Sequence, residues 1–199
     1  MSEIRLGILG GGQLGSMLSV AAKKLNIKTV IYSDDQHAPA QNFCDEFIFG
    51  DYKDKSIIND FVKKVNIITY EFENIPYETL NEINKSKTVN PKPSINRLIQ
   101  HRLAEKDFVN KLNIRTTRYV SIEKKSDLES LSDFLPGILK TTTMGYDGKG
   151  QYPIRSLNDL NELNIDFSKE YILEKLVKLK KEISVIITRF GSNKYEIYE

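Results

Sequence analysis

Apolar positions along the chain follow two periods. Short apolar runs of strand length occur at residues 4–9, 29–32, 46–49 and 65–70. Between the first two, Leu14, Met17, Leu18, Ala21, Ala22 and Leu25 recur at helical spacing. A second helix is predicted over residues 53–64, with Ile57, Ile58, Phe61 and Val62 inward. Pro76 opens a third, to residue 83, and a short strand follows at 88–90. Strands alternating with amphipathic helices predict an open, mostly parallel α/β sheet.

Pro91-Lys92-Pro93 interrupts this pattern and marks a boundary. Ser94 is the expected N-cap of a helix that carries Leu98, Arg102, Glu105, Phe108, Val109 and Leu112 at helical spacing. A strand-rich region follows. Strands are predicted at 116–120, 138–140, 151–154 and 171–177, with helices at 126–134 and from Ser156 to residue 163. Residues 182–190 alternate, which puts Ile183, Val185 and Ile187 inward, and a turn at 191–193 leads to a last strand at 195–199. The expected organisation is two units, residues 1–92 and 93–199.

Composition narrows the class. With 199 residues, 40% hydrophobic and 28% charged, the chain reads as an ordinary soluble protein. A formal charge of +2 is too small to point to nucleic acid or membrane as a partner. Lys178, Lys180 and Lys181 read as a solvated loop. Cys44 is the single cysteine, so no internal disulfide forms, and it reads as a small buried hydrophobe. His37 and His101 have no partners at zinc spacing, and His101 is expected on the surface. The apolar start at residues 4–9 is too short for a signal peptide, and no stretch is long enough for a membrane span. The expectation is a cytoplasmic protein.

Two glycine-rich stretches carry candidate chemistry. Gly10-Gly11-Gly12-Gln13-Leu14-Gly15 follows a strand, opens a helix and precedes a second strand ending at Asp34-Asp35. This is the dinucleotide-binding fingerprint, which makes a nicotinamide dehydrogenase one hypothesis. The alternative is a tight turn, with or without another phosphate at the helix N-terminus. Glu71 and Glu73 stand at the carboxyl end of a strand, where they suit ribose hydroxyls or a cation, or cap the helix at Pro76. In the second stretch, Ile138-Leu139 delivers Lys140, and a loop follows of Gly145, Tyr146, Asp147, Gly148, Lys149, Gly150 and Gln151. A cation at a strand end, followed by bare backbone amides, suits a polyphosphate. It is not a Walker A loop, and a plain hairpin turn is the alternative. Arg102 is either a phosphate contact or a solvated helix arginine.

Taken together, these motifs resemble the 5-(carboxyamino)imidazole ribonucleotide synthases, ATP-grasp enzymes of purine biosynthesis. The resemblance rests on Gly-Gly-Gly-Gln-Leu-Gly, Thr69-Tyr70-Glu71-Phe72-Glu73-Asn74, Arg102 with Glu105-Lys106, Lys140 with its glycine loop, and Glu174 with Glu182. It covers all 199 residues. It implies a Rossmann-like pre-ATP-grasp domain followed by the first α+β lobe of an ATP-grasp domain, with the second lobe absent. It implies that ATP, with magnesium, phosphorylates bicarbonate to carboxyphosphate, and that the amine of 5-aminoimidazole ribonucleotide captures the carboxyl group. Arg102 and Lys140 would hold ATP phosphates, with residues 145–151 as a lid. Glu174, Lys175, Leu176 and Val177 would line the adenine pocket, and Glu182 would take the ribose hydroxyls. Tyr146, Asp147 and Lys149 would face the reacting groups, and Gln13, Leu14 and Glu73 would hold the ribonucleotide. The magnesium ligands belong to the part that members of the family carry beyond this point. The expectation is therefore a truncated or split-gene product with a partial ATP site. It would be completed by a C-terminal polypeptide or a homodimer, or would persist as a non-catalytic nucleotide-binding remnant.

Overall fold

The computed structural model describes residues 3–145, 149–163 and 165–198. Four strands, β1 (Arg5–Leu9), β2 (Lys28–Ser33), β3 (Glu46–Phe49) and β4 (Ile67–Tyr70), form a parallel sheet in the order β3-β2-β1-β4. The period of two along each strand sends Leu9, Val30, Tyr32 and Ile68 to one face and Ile8 and Ile31 to the other. Helices α2 (Lys55–Lys64) and α3 (Tyr77–Asn84) cover the first face, burying Ile58, Phe61, Leu80 and Ile83. Phe61 is seated against Gly7, where a Cβ would lie 2.6 Å from its ring. The Tyr32 ring lies 5.5 Å away, and its hydroxyl donates to the Asp51 carbonyl. Asp54 starts α2 by accepting the amides of Ser56 (2.8 Å) and Ile57 (3.2 Å). The 88–90 stretch makes only a bridge from Val89 to Ile68.

Helix α1 (Gln13–Lys24) covers the other face and departs from the apolar pattern. Gly15, Ser19 and Ala22 point inward, while Leu14, Met17, Leu18 and Leu25 are exposed. Close approach explains the reversal: a Cβ at Gly15 would lie 3.0 Å from the Gly10 carbonyl oxygen, so only small residues fit beneath the helix. Cys44 is half-buried rather than buried.

The helix expected from Ser94 is two helices, α4 (Pro93–Ile99) and α5 (Arg102–Lys111). Pro93, not a serine cap, begins α4, in keeping with its fixed φ. At the break His101 is half-buried; its Nδ1 accepts the Ala104 amide at 3.4 Å, and its Nε2 lies 3.0 Å from Glu170. The Gln100 amide donates to the carbonyls of Glu73 (2.7 Å) and Ile75 (2.8 Å), which ties this corner to the end of the first sheet.

The second sheet is antiparallel, in the order β5-β8-β6-β7, from β5 (Tyr119–Ile122), β6 (Gly137–Thr141), β7 (Gln151–Ile154) and β8 (Tyr171–Lys175). Strand β5 starts later than predicted because Thr116 and Thr117 bond through their side chains, Thr117 to the Lys175 carbonyl at 2.7 Å. The helix expected over 126–134 breaks into α6 (Lys125–Glu129) and a 3-10 turn, Ser132–Phe134. With α7 (Leu157–Glu162) these cover Ile122, Leu139, Ile154, Tyr171 and Leu173 on one face. The last strands, β9 (Ile186–Gly191) and β10 (Lys194–Tyr198), pair with each other as a hairpin. Ile183, Val185 and Ile187 are exposed rather than inward, Ile183 to 80%. Their alternation encodes an apolar strand face that the described residues do not cover. Among the described residues, no helix is long and apolar enough to cross a membrane.

Replacing Phe61 by Ala should cost about 4 kcal/mol of stability, through the cavity opened beside Gly7 and Tyr32. Asp54→Ala should cost about 1 kcal/mol, through loss of the cap alone. Urea unfolding of both variants measures the contrast, and equal losses would contradict it.

Candidate functional site

The second sheet has a polar face opposite its apolar cluster. Glu174 stands on β8 directly across from Tyr119 on β5 and Ile138 on β6, and Lys140 lies two residues along β6. Directly and diagonally opposed residues share a face, so sheet register alone brings Lys140 to Glu174. The Lys140 ammonium donates to Glu174 Oε2 at 2.8 Å. Helix α5 crosses this face and presents Arg102, Glu105, Lys106 and Val109, spaced so that they share one side of the helix. Lys106 Nζ lies 3.2 Å from the other oxygen, Glu174 Oε1. The Glu174 side chain is 9% exposed and each lysine 17%. Burial works against the charge of Glu174, but the hydrogen bond and charge of Lys140, then Lys106, outweigh it and hold the carboxyl below the usual carboxylate range. Around these groups a cleft of about 300 Å³ opens between α5 and the sheet.

The glycine loop begins at the end of β6. The Arg102 guanidinium donates to the Gly145 carbonyl at 2.8 Å, and its own amide donates to the Thr142 carbonyl at 2.8 Å. Arg102 is thus neither a free surface cation nor solely a ligand contact; it secures the base of the loop. Gly150 returns the chain with φ of +68°, a value that favours glycine, and its carbonyl accepts the Thr141 amide at 2.9 Å. Lys149 precedes it, and Gln151 pairs with Lys140. Tyr146, Asp147 and Gly148 lie outside the described residues.

Other candidates fall elsewhere. Lys175 points to the opposite face, where its ammonium donates to the carbonyls of Leu135 (2.5 Å) and Asp133 (3.1 Å). Leu176 and Val177 lie past the end of β8 and are exposed. Glu182 is exposed in the irregular segment 176–185, and none of these last three is among the cleft's lining residues. Glu73 lines a narrower cleft of about 70 Å³ with Arg102, Glu105 and Gly145. Gln13 and Leu14 are exposed at the start of α1.

The glycine turn before α1 is already occupied. Glu71 Oε1 accepts the Gly12 amide at 2.8 Å, and a Cβ at Gly10, whose φ is +102°, would lie 2.6 Å from that oxygen. Glu71 therefore caps α1 rather than the helix after Pro76. A dinucleotide pyrophosphate would meet a carboxylate at this amide, which counts against the nicotinamide hypothesis. Lys106 and Glu71 are the residues whose roles the sequence concealed. Lys106 stands one helical turn from Arg102, and Glu71 at a strand end beside the glycine turn; both signals are visible only once α5 and β4 are placed. Among the described residues no group of three or more His, Cys, Asp or Glu could hold a metal ion. The described cations of the cleft suit nucleotide phosphates.

The ribonucleotide synthetase preATP-grasp domain matches residues 2–100, and the ATP-grasp domain matches residues 107–199. The N5-carboxyaminoimidazole ribonucleotide synthase of Aquifex aeolicus is 37% identical over 199 residues, covering 98% of this chain and 52% of that protein. The Staphylococcus aureus enzyme of the same name is 33% identical over 196 residues, covering 97% and 52%. A crystal structure of N5-carboxyaminoimidazole synthetase from Staphylococcus aureus complexed with ADP superimposes with a TM-score of 0.90 at 32% identity, covering 98% of this chain and 53% of that one. The chain spans about half the length of these relatives. With both domain models in sequence order and that likeness along nearly its whole length, the chain belongs to the N5-carboxyaminoimidazole ribonucleotide synthase family and corresponds to the amino-terminal half of its members.

Proposed function

We propose that this chain supplies one wall of the nucleotide site, and part of the ribonucleotide site, of an ATP-dependent ligase that carboxylates 5-aminoimidazole ribonucleotide with bicarbonate. The observation that carries this reading is the cleft in which Arg102, Lys106 and Lys140 meet beside a single buried carboxylate, Glu174. Such preorganised cations suit a polyphosphate whose charge shifts during phosphoryl transfer. ATP supplies the phosphoryl group that activates bicarbonate toward the amine. The chain's own residues bind and orient. Lys140 holds phosphate, Arg102 fixes the loop of residues 145–151 above it, and that loop closes the site to water. Glu174 keeps both lysines placed, and the backbone of residues 174–177, at and beyond the end of β8, takes the adenine edge. Glu182 takes the ribose of the nucleotide. Glu73, beside Arg102 and Gly145, holds the ribonucleotide with Gln13 and Leu14. Tyr146, Asp147 and Lys149 face the reacting groups. Units 1–92 and 93–199 divide the work between ribonucleotide and ATP, and the setting is the cytoplasm. Magnesium accompanies ATP, with protein ligands other than the described residues.

The activity assay is ADP release from magnesium-ATP and bicarbonate, with and without 5-aminoimidazole ribonucleotide. Release stimulated by the ribonucleotide establishes the ligase. ADP binding without release is the result expected of the second reading, a nucleotide-binding remnant. Absence of ADP binding rejects both. Lys140→Met should weaken ADP binding at least tenfold in calorimetry while the chain stays folded, as expected for loss of a charge-assisted phosphate contact.

Glu174 has its carboxyl held down in the folded state, so its ionic contribution is complete above the ordinary glutamate value. It is lost as pH falls through the lower folded value. The groups facing it are Arg102, Glu105 and Lys106 from α5, Lys140 from β6 and Tyr119 from β5. Glu174→Gln should cost about 2 kcal/mol at pH 7, and the difference from the parent should begin to narrow only as pH falls below the ordinary glutamate value of about 4.3. Thermal unfolding of both chains between pH 7 and pH 3 reads this, and a gap that stays constant would refute it.

A further inference from the structure

Lys106 adds to the positive charge of the cleft but has no contact of its own with the nucleotide among the roles above, yet it is held by Glu174 as Lys140 is. The two lysines divide the Glu174 carboxylate, one oxygen each, at 3.2 and 2.8 Å. A lone lysine facing a buried carboxylate is held there, because drawing it away leaves an uncompensated charge in a poorly solvated site. A second lysine removes that obstacle. Lys106 has its own support, independent of β6. Its ammonium lies 5.5 Å from the centre of the Tyr119 ring. That ring is anchored in turn, its hydroxyl donating to Asp107 at 2.6 Å and accepting from the Asn110 amide at 3.0 Å. All three contacts join α5 to β5. Arg102, the other cation from α5 in the cleft, is engaged by the Gly145 carbonyl.

We infer that Lys106 is a positioning residue for the nucleotide: it holds the Glu174 carboxylate while Lys140 turns its ammonium from that carboxylate to a nucleotide phosphate. The inference rests on the nucleotide-binding reading. Lys106 touches no phosphate in this arrangement. Its effect on affinity passes entirely through Glu174, and this separates it from a third phosphate contact and from a purely structural lysine.

A double-mutant cycle on the full chain tests it, with ADP as the probe in calorimetry and thermal melts to confirm folding. Lys106→Met should weaken ADP binding about tenfold. In a Glu174→Gln background the same change should cost less than about twofold, since no buried charge is then stranded. Lys106→Arg, which keeps the charge and stacks on Tyr119, should restore most of the affinity. An equal loss in both backgrounds would mean that Lys106 binds phosphate directly, and the inference would be wrong. Unchanged affinity with a lowered melting temperature would make Lys106 structural and also overturn it. If the parent chain binds no ADP, the nucleotide reading itself fails and takes this one with it, whereas binding with an additive cycle removes this one alone.

Discussion

The carboxylate of Glu174, buried between two ammonium groups, is the contact on which the arrangement of the second sheet's polar face depends. Three elements distant in sequence, α5, β6 and β8, each contribute one charge to it. A charge so poorly exposed is tolerated only when paired, and here the pairing also fixes how α5 lies across the sheet. The cleft exists because α5 is held by its charged side and not by an apolar one: none of its residues is buried. The apolar work is done on the opposite face, by Ile122, Leu139, Tyr171 and Leu173. One antiparallel sheet therefore carries a packed core on one side and an electrostatic site on the other.

The corner at residues 100–102 connects this site to the first sheet. Gln100 binds the carbonyls of Glu73 and Ile75, and Arg102 binds the Gly145 carbonyl two residues later. The chain segment that carries Glu73 and the segment that begins the glycine loop are thus fastened to the same short break between helices. Glu73, Arg102 and Gly145 meet in one narrow cleft for that reason. The order of motifs along the chain becomes a spatial order around this corner.

Much of this was legible in the sequence where local rules and global packing agree. The parallel sheet follows from strands of the right length separated by helical spacing, and α2 carried its core residues openly, though its Asp54 cap was not picked out. The rapid return from Lys140 to Gln151 was also readable, since Gly150 sits where a positive φ is needed. The failures have physical causes. Leu14, Met17 and Leu18 mark an apolar stripe, but α1 approaches its sheet so closely that Gly15, Ser19 and Ala22 must face it instead. Ile183 and Val185 alternate as a buried strand does, yet nothing among the described residues covers them. Lys106 and Glu71 were unreadable because their meaning is a tertiary contact, and no spacing announces a contact between α5 and β8 or between β4 and a turn 59 residues earlier.

The capped glycine turn bears on how such fingerprints are interpreted. Glycines free the backbone amides before a helix, but they do not determine what those amides receive. Here a side chain from a neighbouring strand fills the place. The turn becomes a closed socket: its geometry is that of a phosphate receptor and its charge is that of a repeller. A protein with this turn can keep the backbone of a dinucleotide fold while being screened against dinucleotides. The acid at the end of the adjacent strand therefore discriminates between the two outcomes, and the glycines themselves do not.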